Sequence, residues 1–218
     1  MLVDFTDLAW GWMRLMLGPR ALRREPGLRF AKVLGSGHDG RFGLRPSASR
    51  QGLFCVFDNR LQASRFIDAS PTLARYREHA GDICSVLLHP YSSRGSWAGA
   101  TLPVSTPAPA SGPVAVLTRA AIRPSRSWHF WRHAPAAQRA LHAAPGCLLA
   151  AGLGEAPLLR QATFSLWNSV ADMESYAHHG AHLAAIQASR QGGHFSESMF
   201  VRFVPEALRG HWQGRHFD

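Results

Sequence analysis

Along most of this chain apolar residues recur with the period of a strand or of a helix, most cleanly in the second half. Residues 114–123 (VAVLTRAAIR) form a β-type run after Gly112-Pro113. Pro124-Ser125 then opens a helix over about 126–143, with Trp128, Trp131 and Leu141 among its apolar positions. Pro135 within it predicts a break or kink. Pro145-Gly146 marks a turn, and 147–152 reads as the next strand. A loop through Gly154-Glu155-Ala156-Pro157 leads to a third strand at 162–167. Asn168 or Ser169 is a good N-cap, and a helix follows over about 170–190, with Met173, Leu183 and Ile186 on one stripe. Gly192-Gly193 ends it, and 198–204 is a fourth strand. The order β-α-β-β-α-β is the ferredoxin-like arrangement.

The first half reads as a degenerate copy of the same unit. Strands are expected at 29–34, 52–57 and 83–88, and helical pieces at 62–66 and 71–79. The chain thus divides into an N-terminal amphipathic segment (1–27), a degenerate ferredoxin-like half (28–100), a Pro/Ser/Ala-rich linker (101–112, TLPVSTPAPASG), a second ferredoxin-like half (113–205) and a tail (206–218) that carries His211 and His216 on the surface. The fold class expected is α+β: two βαββαβ modules forming a dimeric-α/β-barrel-like architecture within one chain. Helices cover one face of such a sheet, and the other face must be buried somehow. Two modules packed face to face would enclose an apolar cavity.

Charge changes this picture only in what it says about partners. The formal net charge is +10, from 24 basic and 14 acidic residues, and Lys32 is the only lysine. Base composition of the genome accounts for an Arg bias; a functional reading is a negatively charged partner, such as nucleic acid, an anionic membrane surface or an acidic redox protein. No stretch reaches the roughly 18 apolar residues of a membrane span. The run at 8–17 follows Asp4 and Asp7, where a secretory signal would be basic, and it is broken by Arg14 and trailed by Arg20, Arg23 and Arg24. It fits an amphipathic helix that packs on the protein or lies on a membrane. Cys55, Cys84 and Cys147 are odd in number and widely spaced, so no disulfide framework or zinc site is indicated. Buried, reduced thiols and a cytoplasmic location are expected.

Several chemistries are excluded. Gly35-Ser-Gly-His-Asp-Gly40 matches the letters of a dinucleotide fingerprint, but Gly43 and Pro46 leave no room for the helix it requires. There is no nucleophile elbow and no Walker loop. The strand Gln161-Ala-Thr-Phe-Ser-Leu-Trp167 lacks the aromatic pattern of an RNA recognition motif, which argues against nucleic acid. What remains is a set of imidazoles beside the two helices of the second half: His129, His133, His178, His179, His182 and His194. His129 and His133 are spaced i, i+4, without the Glu of a metalloprotease. One neutral imidazole suffices for haem, because the porphyrin supplies the equatorial ligands. Arg119 and Arg202 lie inside otherwise apolar strands. Each must pair with a carboxylate, Glu155 or Glu197 being the candidates, or anchor a ligand carboxylate such as a haem propionate.

The motifs Val33-Leu-Gly-Ser-Gly37, Gly52-Leu-Phe-Cys-Val-Phe57, Gly112-Pro-Val-Ala-Val-Leu-Thr-Arg-Ala-Ala-Ile-Arg123, Phe130-Trp-Arg132, Gly154-Glu-Ala-Pro-Leu-Leu-Arg-Gln-Ala-Thr-Phe-Ser-Leu-Trp167, Gly180-Ala-His-Leu-Ala-Ala-Ile186 and Phe195-Ser-Glu-Ser-Met-Phe-Val-Arg-Phe203 together resemble the spheroidene monooxygenase family. The resemblance spans about residues 28–205. It implies oxygenation of an acyclic carotenoid next to its methoxylated end to give a keto group, with b-type haem as cofactor and reduced ferredoxin as electron donor. It also implies the dimeric α+β barrel superfamily and admits a homodimer. The family's His-x-x-Ala-Ile motif falls on His182, Ala185 and Ile186, which makes His182 the axial ligand, with His129, His133 and His194 as alternatives, and Arg119 and Arg202 as cofactor-binding residues. Two alternatives stay open: another haem enzyme on the same barrel, of peroxidase or aldoxime-dehydratase type, and a non-enzymatic ferredoxin-like module that binds a ligand or RNA.

Overall fold

The computed structural model describes residues 1–38, 46–156, 158–178, 183, 187 and 192–218, with the side chain of His133 left aside. The chain folds as two compact units, one made of residues 1–36, 46–87 and 206–218 and the other centred on 88–205. Each is ferredoxin-like.

The first unit runs β1 (Leu2–Phe5), α1 (Leu8–Leu17), β2 (Leu28–Gly37), β3 (Pro46–Phe57), α2 (Arg60–Ala69), α3 (Pro71–Glu78) and the start of β4 (Ala80–Gly95). Its sheet order is β4-β1-β3-β2, with β1 antiparallel to both β3 and β4. That is a complete βαββαβ unit, and it begins earlier than the hydrophobic pattern predicts. Residues 1–27 supply its first strand and first helix. A strand of four residues carries too little alternation to stand out beside the helix that follows. Helix starts obey local chemistry throughout: the Asp7 carboxylate accepts from Trp10 N–H, Asn59 from Gln62 N–H, and Ser70 from Thr72 N–H. Val3, Phe5, Leu22, Val33, Leu53, Phe66, Leu73 and Tyr76 form the core. Gly11 sits where a Cβ would meet the Phe5 ring at 2.7 Å, so only glycine lets α1 lie this close to β1.

The second unit runs β5 (Val114–Ile122), α4 (Ser127–His142), β6 (Cys147–Ala156), β7 (Arg160–Trp167), α5 (Val170–Ala177) and β8 (Phe195–Trp212). The sheet order is β6-β7-β5-β8. Along β5, Leu117 faces Phe164 on one side and Val201 on the other, and Arg119 faces Ala162 and Met199. Val114, Leu141, Ala150, Trp167 and Met173 form the core under the two helices. Of the two N-cap candidates the structure selects Ser169, whose hydroxyl accepts from Asp172 N–H. The helix predicted to Arg190 is described to Ala177, and the residues that follow lie largely outside the described set.

Two strands outrun their predicted ends. β4 continues to Gly95 and β8 to Trp212, through Pro90 and Pro205. A proline withholds an N–H from the ladder, so the pattern breaks off just before each one. The expected tail therefore extends β8 and turns back as β9 (Arg215–Phe217), with Trp212 buried and the rings of His211 and His216 4.3 Å apart across the hairpin. Of the glycines in the dinucleotide-like string, Gly35 and Gly37 lie at the end of strand β2.

Helix α4 passes through Pro135 without a break. The ring removes one helical hydrogen bond and crowds the preceding turn. Pro135→Ala is therefore expected to stabilise the protein by roughly 2 kcal/mol, read as a raised urea midpoint at an unchanged slope; an unchanged or lowered midpoint would show that the proline costs the helix nothing.

Candidate active site

The face of the second sheet opposite its helices is apolar and buried. Alternation along β5 puts Ala115, Leu117 and Arg119 on it, and the register adds Leu166, Phe164 and Ala162 from β7, Phe203, Val201 and Met199 from β8, and Ala151 and Leu153 from β6. Arg119 is the one guanidinium in this floor among the described residues, and it is 3% exposed. Taking it out of water requires counter-charge. Glu197 supplies it directly from β8, and Glu155 Oε2 lies 3.3 Å from the same guanidinium. Glu155 reaches this face by the alternation that puts Ala151 and Leu153 on it, next to a register slip between Gly154 and Ala156.

The segment after β4 completes the cluster. Trp97 is fully buried, donates its indole N–H to Glu155 at 3.0 Å, and holds the Arg119 guanidinium 5.8 Å over its ring. The Ser96 hydroxyl and Gly99 N–H both donate to Glu197, at 2.8 and 2.9 Å. Burial works to raise the pKa of Glu197, but the hydrogen bonds from Gly99, Ser96, Ala98 and Arg119 outweigh it and hold the carboxyl at about 2, well below its ordinary 4.5. The site is thus an apolar floor closed at one end by a guanidinium between two carboxylates. The Arg119 Nε–H is buried there with no hydrogen-bond partner among the described residues.

Of the residues singled out in the sequence, Arg119 takes the carboxylate pairing that was one of its two readings. Arg202 does so with another partner: it pairs with Glu174 of α5 at 3.3 Å, on the helix-covered face near Tyr91. Neither guanidinium fits the role of a haem-propionate anchor, because each already faces a carboxylate, and a propionate beside Arg119 would add a third negative charge to one positive one. His194 is buried just before β8, its ring 6.4 Å from that of exposed His129 at the start of α4. His182 lies outside the described residues, and so does the side chain of His133. Among the described residues no group of three or more His, Cys, Asp or Glu is placed to hold a metal ion. Burial pushes the Cys55 thiol up to about 12 and the Cys84 thiol to about 11, which leaves both protonated and unreactive. Trp97 and the 95–99 turn were not singled out from sequence; the glycines at both ends of Gly95-Ser-Trp-Ala-Gly99, each at positive φ, are the signal that marks it.

Because the Glu197 pKa is lower in the folded chain than in the unfolded one, the stability it contributes is present above pH 4.5 and is lost as pH falls from there toward 2. Glu197→Gln should therefore be less stable than wild type at pH 7, with the gap narrowing through that window. Urea unfolding at pH 7 and pH 3 checks this; an equal gap at both values would remove the ion pair from the explanation.

The chain matches no protein-family model. It is 54% identical to spheroidene monooxygenase of Rubrivivax gelatinosus over the whole chain and 85% of that protein. It is 34% identical to the Rhodobacter capsulatus enzyme of that name, over 96% of the chain and 89% of the relative. Among solved structures, a protein from Fusobacterium nucleatum assigned as a monooxygenase aligns over 99% of this chain and 95% of its own, at 9% identity and a TM-score of 0.45. An anthrone oxidase-like protein aligns over 100% and 94%, at 15% identity and a TM-score of 0.36. At these scores the structural likeness is loose, and the assignment comes from sequence: identity this high over the full length makes the chain an oxidoreductase, a monooxygenase that belongs to the spheroidene monooxygenase family.

Proposed function

We propose that the chain oxygenates an acyclic carotenoid of the spheroidene type at the carbon next to its methoxylated end, giving a ketone. The observation that carries this reading is the 54% identity, across all of the chain, to a protein named spheroidene monooxygenase. The chemistry of the second unit suits such a substrate. A long hydrocarbon needs an apolar surface, which Leu117, Phe164, Val201 and their neighbours provide. The oxygenated end needs a polar stop, and we assign it to the Arg119 end of the floor, where the Nε–H can donate to an ether oxygen. Each oxygenation consumes one dioxygen, two electrons and two protons; one oxygen atom enters a C–H bond and the other leaves as water. A second round at the same carbon gives a geminal diol, which loses water to the ketone.

Haem is proposed as the cofactor, with His182 as its axial ligand and His129, His133 and His194 as alternatives; it would supply the centre at which dioxygen is activated. What supports this is the family's His-x-x-Ala-Ile motif at His182, Ala185 and Ile186. Reduced ferredoxin is proposed as electron donor. Such donors are acidic, and the net charge of +10 favours their approach.

Purified protein given spheroidene and a reduced-ferredoxin system under isotopic dioxygen should form a carotenoid ketone that carries the label. Turnover of peroxide or an aldoxime with no keto product would overturn the substrate. Separately, protein reconstituted with haem should show a Soret band that His182→Ala abolishes and that His129→Ala and His194→Ala retain. Protein that stays colourless after haem is added would end the cofactor proposal, and a full band in His182→Ala would move the ligand to one of the other three histidines.

A further inference from the structure

We propose that the outward face of α1, with the arginines that follow it, docks this protein on a lipid bilayer bearing anionic headgroups. The inference rests on the helix itself and is independent of the substrate assigned above. A helix on the surface of a water-soluble protein turns its apolar stripe inward and its charges outward. Helix α1 does the reverse. The residues it exposes are Leu8, Ala9, Trp12, Met13, Met16 and Leu17, all of them apolar, and Met16 is 83% exposed. At 100° per residue they cover about half the circumference of the helix in one unbroken arc. The other arc holds Trp10, Gly11, Arg14 and Leu15. Gly11 lies against the Phe5 ring, Trp10 stacks on His79 at 4.5 Å, and the Arg14 guanidinium, the one charge in the helix, is turned inward over the rings of Trp10 and Tyr76 at 5.2 Å from each. No rotation of α1 can hide the outer residues without expelling this packing.

The charge beside the arc identifies the occupant. A 3-10 turn, Gly18–Leu22, follows α1, and its Leu22 is fully buried, which pins the segment to the body of the unit. Arg20, Arg23 and Arg24 flank that anchor, and all three are exposed. The acidic residues of the neighbourhood are committed elsewhere. Asp4 pairs with Arg50 at 2.7 Å, Asp7 caps α1 and contacts His79 at 3.0 Å, and Glu25 accepts from the hydroxyls of Ser70 and Thr72. An exposed aromatic and two methionines beside three arginines that pair with no carboxylate among the described residues match the interface of an anionic bilayer: the apolar arc enters the headgroup boundary and the guanidiniums meet phosphates. No described helix is long and apolar enough to cross the membrane, so the contact is peripheral.

The test is sedimentation of the full chain with phosphatidylcholine vesicles, with and without phosphatidylglycerol. Wild type should partition onto the anionic vesicles. The pair Trp12→Ser and Met16→Ser should cut partitioning by about tenfold or more. The triple variant Arg20→Ser, Arg23→Ser, Arg24→Ser should cut it on the order of a hundredfold. A charge-matched triple at exposed Arg126, Arg132 and Arg139 should stay close to wild type. Brominated lipid should quench a component of the tryptophan emission that Trp12→Phe lacks, which reads the contact without a folding-sensitive variant. The proposal fails if wild type does not partition, if both arginine triples lose binding equally, or if the Trp12/Met16 pair converts a wild-type dimer to monomers, which would give the face to a second copy of the chain.

Discussion

A four-stranded antiparallel sheet has two faces, and in each unit of this chain the helices cover one. In the second unit the residues on the other face are as apolar and as buried as those under the helices, so β5 is hydrophobic at nearly every position. A guanidinium placed in such a face is stable only if its charge is met. Arg119 therefore dictates much of what surrounds it: Glu197 one pair along β8, Glu155 two residues past Leu153 on β6, and the 95–99 turn that delivers Trp97, Ser96 and Gly99. Removing either carboxylate leaves buried positive charge with less to balance it, a costlier change than replacing the whole cluster by apolar groups.

That cluster also gives the face a direction. One end is hydrocarbon and the other is polar, with a buried donor to spare. An oxygenase acting on a chain-like molecule must select one carbon among many similar ones. An apolar floor alone cannot do so, because it binds every register about equally well. A polar stop at one end breaks that degeneracy, since any other register leaves its donors unmatched.

The first unit shares the topology and meets a different constraint. Its α1 buries Gly11, turns Trp10 and Arg14 inward half-buried, and exposes Leu8, Trp12, Met13, Met16 and Leu17. Arg14 is tolerated inside because two aromatic faces accept its charge and its methylenes pack beside them. The outcome is a unit with ordinary ferredoxin-like packing inside and, on its first helix, an outer surface with little affinity for water.

Several features were legible in the sequence because they are local. The alternation of 114–123 and 162–167, the cap at Ser169 and the glycine-proline turns each rest on neighbouring residues, and the ferredoxin-like order follows from them. The need for a partner at Arg119 was equally legible, since it follows from the cost of burying charge. Other features depend on residues far apart in the chain. Four residues at 2–5 become a strand only because β3 and β4 offer free edges on either side. Strands continue through Pro90 and Pro205 although the proline nitrogens donate nothing. Which carboxylate meets which arginine, Glu197 and Glu155 for Arg119 but Glu174 for Arg202, is set by register, and a shift of one residue would reverse every face. The sequence by itself determined the elements of the second unit, the family and the charges that must be neutralised. Only the tertiary structure decided their pairing and which side of α1 faces outward, because both depend on the distances that folding creates between segments remote in the chain.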